Sequence, residues 1–127
     1  MMTEAVRIDI DDPDVDMDMG QRLLYQGELF TGEAVEYFGQ QVVALDEYVD
    51  GLPNGRSRAW YPDGTLRSEG RNQDGRPMGE FKRWHPNGVL QQRRVFDGSV
   101  ASLAEEDKWD DKGNLLSSWR REAGTLP

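Results

Sequence analysis

A beat of about 24 residues runs through this chain and limits what it can fold into more than any other feature. Tyr37, Trp60, Trp84 and Trp109 stand 23, 24 and 25 residues apart, and Gly27, Gly51, Gly75 and Gly98 keep steps of 24, 24 and 23. A glycine follows each of these three tryptophans four residues on, at Gly64, Gly88 and Gly113, and a leucine six residues on, at Leu66, Leu90 and Leu115. Three residue types held in register across three copies make an internal repeat.

Turn chemistry identifies the repeated unit. In Trp84-His85-Pro86-Asn87-Gly88, proline presets φ for the second position of a type I turn, asparagine suits the third, and glycine takes positive φ after it. Trp60-Tyr61-Pro62-Asp63-Gly64 repeats that solution, and Asp110-Asp111-Lys112-Gly113 keeps the glycine without the proline. Each unit therefore reads as a β-hairpin closed through a glycine bulge. Gly51, Gly55, Gly75 and Gly79 read as the crossings between hairpins. A lone hairpin is marginal in water, so the copies must share a sheet, with the repeat-spaced aromatics and leucines as common packing. The expected fold is all-β: one elongated sheet of consecutive antiparallel hairpins, about four repeats long.

The ends are irregular, as capping copies are. The first unit has Gln41 where the turn glycine is expected, with Gly39 two residues early. The last carries Ala104-Glu105-Glu106-Asp107-Lys108, which reads as an acidic insertion before Trp109. Val6, Ile8 and Ile10 alternate with polar residues and predict a short strand. Arg22–Tyr25 predicts another, pairing with the arm after Gly27. The organisation read is an acidic segment with a short strand over 1–22, repeats over 23–119 and a tail over 120–127.

Composition agrees. Fourteen glycines and six prolines in 127 residues fit a turn-rich β protein, and a hydrophobic fraction of 36% argues against a thick core. The absence of cysteine excludes disulfides and thiolate metal sites. The opening residues lack a signal-peptide pattern and no stretch is long and apolar enough to span a bilayer, so a cytoplasmic protein is expected. Charge is lopsided: residues 1–50 carry a net −11 and residues 51–127 a net +2. The overall −9 disfavours direct binding to nucleic acid or an anionic membrane, while an acidic half suits a basic protein partner.

The pattern G-x-x-x-G-x-x-x-x-W-[YH]-P-[DN]-G-x-L, at Gly51–Leu66 and Gly75–Leu90, resembles the bacterial variant of the MORN repeat. With the opening Tyr25-Gln26-Gly27-Glu28-Leu29-Phe30-Thr31-Gly32-Glu33-Ala34-Val35-Glu36-Tyr37, the chain is similar to the YwqK-like proteins over residues 23–118. That resemblance implies an antitoxin or immunity partner in a toxin system. Related repeats also occur in lipid-associated and scaffolding proteins.

Candidate chemistry is sparse. Asp14-Val15-Asp16-Met17-Asp18-Met19-Gly20 has the look of a calcium loop, but such a loop needs glycine at its sixth position and glutamate at its twelfth. Here those are Met19 and Tyr25, so the run reads as a solvated acidic loop. His85 occupies the place of Tyr61 one repeat earlier, which fits a turn-flanking residue better than a general base. No phosphate-cradling loop, cofactor motif or catalytic constellation is present. The cations Arg56, Arg58, Arg67, Arg71, Arg76, Lys82, Arg83, Arg93 and Arg94 crowd the two best-formed repeats. They form either cross-strand rows with Glu69 and Glu80 or a one-sided basic stripe. The expected function is non-catalytic: stoichiometric binding of a toxin domain with a basic active site, by a monomer or weak homodimer and without a cofactor. The expected contact residues are Asp9, Asp11, Asp12, Asp14, Asp16, Asp18, Glu33 and Glu36, with Tyr61 and His85 on the repeats. The alternative is a peripheral membrane or scaffolding repeat protein.

Overall fold

The computed structural model describes residues 6–99 and 103–121. It is all-β, with twelve strands among those residues: β1 (Arg7–Asp9), β2 (Val15–Met17), β3 (Leu23–Tyr25), β4 (Glu28–Leu29), β5 (Gly32–Phe38), β6 (Gln41–Val49), β7 (Leu52–Trp60), β8 (Leu66–Gln73), β9 (Arg76–Trp84), β10 (Leu90–Phe96), β11 (Leu103–Trp109) and β12 (Leu115–Arg120). Nine form one open sheet in the order β1-β5-β6-β7-β8-β9-β10-β11-β12, and β2-β3-β4 form a small second sheet. From β5 onward each strand pairs antiparallel with the next. β1 alone runs parallel, along β5.

Two kinds of turn alternate along the meander, one on each rim. Asp50-Gly51 and Asp74-Gly75 both have positive φ at each central residue, 48° and 82° then 51° and 86°. That is the two-residue type I′ geometry that matches strand twist. On the other rim, Tyr61–Thr65 and His85–Val89 are closed by backbone bonds of 2.8 Å from the first N–H to the last C=O. The Asp63 and Asn87 side chains accept from Thr65 N–H and Val89 N–H at 2.9 and 3.0 Å. In the third copy Asp110 takes over: its Oδ1 accepts from both Lys112 N–H and Asn114 N–H at 2.9 Å, which stands in for the missing proline. The first hairpin needs no five-residue loop, because Gly39 at φ 64° opens a two-residue turn and Gln41 begins β6.

Two expectations change. Gly51 and Gly75 lie at crossings, but Gly55 and Gly79 lie inside β7 and β9. At φ 113° and 72° they let the chain bulge, so that residues 54–56 face Glu47 alone and residues 79–81 face Gly70 alone. The acidic stretch 104–108 is no insertion. It is the body of β11, paired on both sides, with Ala104 as the extra residue of a register shift against β10.

The segment 1–22 contributes β1 to the large sheet and β2 to the small one, so it shares the second sheet with β3 and β4. Of the tail, Arg120 and Arg121 are described and end the sheet, while 122–127 lie outside the described residues.

Residues directly opposite across a sheet share a face, so the register sorts every side chain. One face carries Ile8, Ala34 and Tyr48, and the small sheet packs onto it there. Ile8, Leu23, Phe30 and Ala34 form the buried core, with Ile10, Val15, Tyr25 and Tyr48 against it. Gly51 ties the two sheets: its C=O accepts from Leu23 N–H and its N–H donates to Phe30 C=O, both at 2.8 Å. Beyond Ala59 the only buried described side chain is that of Asp107. Trp60, Trp84 and Trp109 are half-buried and Leu115 is exposed, because a sheet one layer thick has water on both faces.

Candidate partner-binding surfaces

The Asp-rich segment is shaped by its own carboxylates. Asp9 Oδ1 accepts from Asp11 N–H at 2.9 Å and Asp12 Oδ1 from Asp14 N–H at 2.8 Å, each an Asx turn that bends the chain between β1 and β2. Asp18 Oδ1 accepts from Arg22 N–H at 2.8 Å and its Oδ2 from Arg22 Nε at 3.0 Å, and these bonds hold its carboxyl below the ordinary range. Asp14 Oδ2 accepts from Gln26 Nε2 at 3.2 Å. The charges of Asp12 and Asp14 push the Tyr25 phenol up. Among the described residues, Asp9, Asp11, Asp12, Asp14 and Asp16 have no cation partner. No group of three or more His, Cys, Asp or Glu side chains among them is placed to hold a metal ion.

The other two acidic candidates separate from this corner. Glu33 is cross-strand from Arg7 and Glu47 and pairs with Arg7 at 3.0 Å and Arg56 at 3.8 Å. Glu36, three residues on along β5, faces the opposite side and is exposed. Of the eight acidic candidates, the fold therefore keeps five as unpaired carboxylates on or beside the β1–β2 turn, and it consumes Glu33 in a row of charges.

That row crosses the sheet face opposite the small sheet. Arg58 pairs with Glu69 at 3.2 Å, and Glu80 holds Lys82 at 3.1 Å and Arg93 at 2.5 Å. Arg93 continues to Asp107 at 3.3 Å, which also binds Arg120 at 2.8 Å and the Ser118 hydroxyl at 2.7 Å. The Arg120 and Ser118 hydrogen bonds, opposed by burial, lower the Asp107 carboxyl to about 2. Glu47 belongs to the same face, where Arg56 N–H donates to its Oε1 at 2.6 Å and secures the Gly55 bulge. Five of the nine repeat cations, Arg56, Arg58, Lys82, Arg93 and Arg94, thus pair with acids, while Arg67, Arg71, Arg76 and Arg83 have no carboxylate partner among the described residues. The one-sided basic stripe is absent there, since Arg94 pairs with Glu106 on the other face at 2.7 Å.

Tyr61 and His85 work between repeats. Tyr61 Oη donates to Trp84 C=O at 2.7 Å, and His85 Nε2 sits 2.9 Å from Trp109 C=O one repeat later. Their polar atoms are engaged along the rim, far in sequence from the acidic corner.

Sequence reasoning missed two sites. Gly70 lies beneath the Phe81 ring, where an added Cβ would meet ring carbons at 2.2–2.4 Å. The last strand, β12, is exposed along its whole length, with Leu115, Leu116 and Trp119 at 57, 66 and 47%. Trp119 had a signal, since among the four tryptophans it alone falls off the 24-residue beat. Comparison with family models, curated proteins and solved structures gave no match.

Proposed function

We propose that this protein is a stoichiometric protein-binding module, an antitoxin or immunity protein that neutralises its partner by covering a basic active site with its acidic corner. The observation that carries the reading is a contrast in charge use. The repeat sheet pairs most of its charges internally, whereas Asp9, Asp11, Asp12, Asp14 and Asp16 sit on or beside the β1–β2 turn with no cation partner among the described residues. An array of fixed, unpaired carboxylates attracts a cationic surface and can occupy the place of phosphates there. The repeat pattern's resemblance to the YwqK-like antitoxins points the same way.

The test is capture of partners from the native organism by the tagged wild-type chain and by an Asp11→Lys/Asp16→Lys variant. Among the described residues Asp11 makes no side-chain bond and Asp16 Oδ1 bonds only its neighbour's N–H, so both changes should leave the fold intact. One tight partner, held by wild type with a strong salt dependence and lost by the variant, is expected. Equal capture by both proteins would rule out charge mimicry. Recovery with membrane fractions would favour the lipid-binding reading instead. No helix among the described residues is long and apolar enough to cross a membrane.

A further inference from the structure

The open sheet has two edges, and they are unlike. β1 is three residues long and runs straight into the acidic turn, so two copies meeting there would bring two negative corners together. β12 contains no acid. Its one cation, Arg120, is neutralised from within by Glu105 at 2.8 Å and Asp107 at 2.8 Å. It has no proline or lysine and no covering strand among the described residues, which are the usual devices that keep an edge from pairing. It exposes Leu115, Leu116 and Trp119 instead.

The register shows which backbone groups are free. Arg121 N–H donates to Ala104 C=O at 2.8 Å, and Trp119 and Ser117 stand opposite Glu106 and Lys108. Bonding residues alternate along an antiparallel strand, so Ser117, Trp119 and Arg121 bond β11, while Ser118 and Arg120 point N–H and C=O outward. A two-fold axis through Ser118 satisfies its outward N–H and C=O against those of its own copy. It sets Arg120 opposite Leu116, the extra residue of the register shift against β11. It also sets each Ser117 opposite the Trp119 of the second copy on one face, where a small side chain leaves room for the indole. The arrangement is self-complementary without a like-charge contact.

We infer that β12 is a self-pairing edge, through which two copies of this chain join antiparallel into one continuous sheet. The two nine-stranded sheets then share a single ladder. The acidic corners, at the opposite edge of each copy, end up at the two far ends, as far from mutual repulsion as the fold allows. A closed two-fold contact uses up the edge and stops growth at the dimer. This inference stands independently of what the acidic corner binds.

Sedimentation equilibrium of the full chain from micromolar to millimolar concentration tests it. A monomer–dimer equilibrium is expected, weakened about tenfold or more by Leu116→Lys/Trp119→Lys, which places cations on both sides of the axis. Both side chains are exposed, so circular dichroism and melting should match wild type and separate lost pairing from lost folding. The chain has no cysteine, so Ser118→Cys is a clean second probe. A residue paired with its own copy has Cα atoms about 5.5 Å apart, within disulfide range, so mild oxidation should cross-link it far faster than Lys112→Cys in the β11–β12 turn. A monomer at every concentration overturns the inference, as does a dimer that ignores the lysines. Equal cross-linking of the two cysteine variants, or open-ended growth, also overturns it.

Discussion

The two ends of the large sheet are built on different physics. At β1, β5 and β6 a second sheet covers one face, and Ile8, Leu23, Phe30 and Ala34 leave water almost completely. From β8 to β12 the sheet is a single layer, and the side chain most withdrawn from solvent is a carboxylate, Asp107. The first end is held by apolar burial, worth about 1.5–3 kcal/mol for each large side chain. The second is held by the backbone ladder, by rim bonds from one repeat to the next and by rows of charge. Exposed ion pairs contribute little singly, about 0–1 kcal/mol, so the ladder and the rim bonds carry most of that half. A repeat sheet thus needs a thick corner only once. Each further hairpin is added onto an existing edge.

The sharpest way to break the contrast is Leu23→Ala. Leu23 is fully buried between the sheets, and its truncation should cost about 2–5 kcal/mol in denaturant unfolding. No alanine substitution at Trp84 or Trp109, both half-buried, should cost as much if the corner is the true core.

Next comes Gly70→Ala in the single-layer half. The new methyl collides with the Phe81 ring, so a loss of about 1–3 kcal/mol is expected, most of it recovered in the Gly70→Ala/Phe81→Ala double variant. Simple additivity of the two changes would show that the ring is free to move away.

The smallest expected effect concerns acid. The folded Asp107 carboxyl titrates at about 2, below its ordinary value of 3.8, so its contribution is complete above that ordinary value and fades as pH falls through about 2. Glu80, lowered chiefly by its bonds to Arg93 and Lys82, acts in the same direction. Stability measured by tryptophan fluorescence should therefore fall across this acid range, and Asp107→Asn should flatten part of the slope. An unchanged slope would mean that Asp107 titrates alike in the folded and unfolded chains.

How much of this was legible in the sequence depends on how local each feature is. The hairpin repeat, the β3–β4 pairing and the glycines at the rim turns follow from spacing and turn chemistry, which act within a few residues. The roles of Gly55 and Gly79 were not legible, since a bulge and a crossing both ask for positive φ. Glu105, Glu106 and Asp107 read as an insertion because acids are poor strand formers alone, and only the facing Arg93, Arg94 and Arg120 make them a strand. At the candidate site, the unspent charge of Asp9–Asp16 was legible from composition. The diversion of Glu33 to Arg7 and Arg56 was not, because it depends on a parallel pairing across 26 residues. Tyr61 and His85 were legible as equivalent positions, but the carbonyl each one reaches belongs to the next repeat.

The meander also sets an order of assembly. From β5 to β12 every strand finds its partner next along the chain, so each hairpin closes a short loop and can form early at small entropic cost. β1 must instead cross the whole small sheet to lie along β5, and only then do Ile8 and Ala34 gain their cover. Without β1, β5 would itself be a bare margin with unsatisfied amides. The three residues Arg7–Asp9 therefore act as a lid on the sheet's ladder, closing it over Glu33, Ala34 and Val35 with the acidic turn as its outer rim.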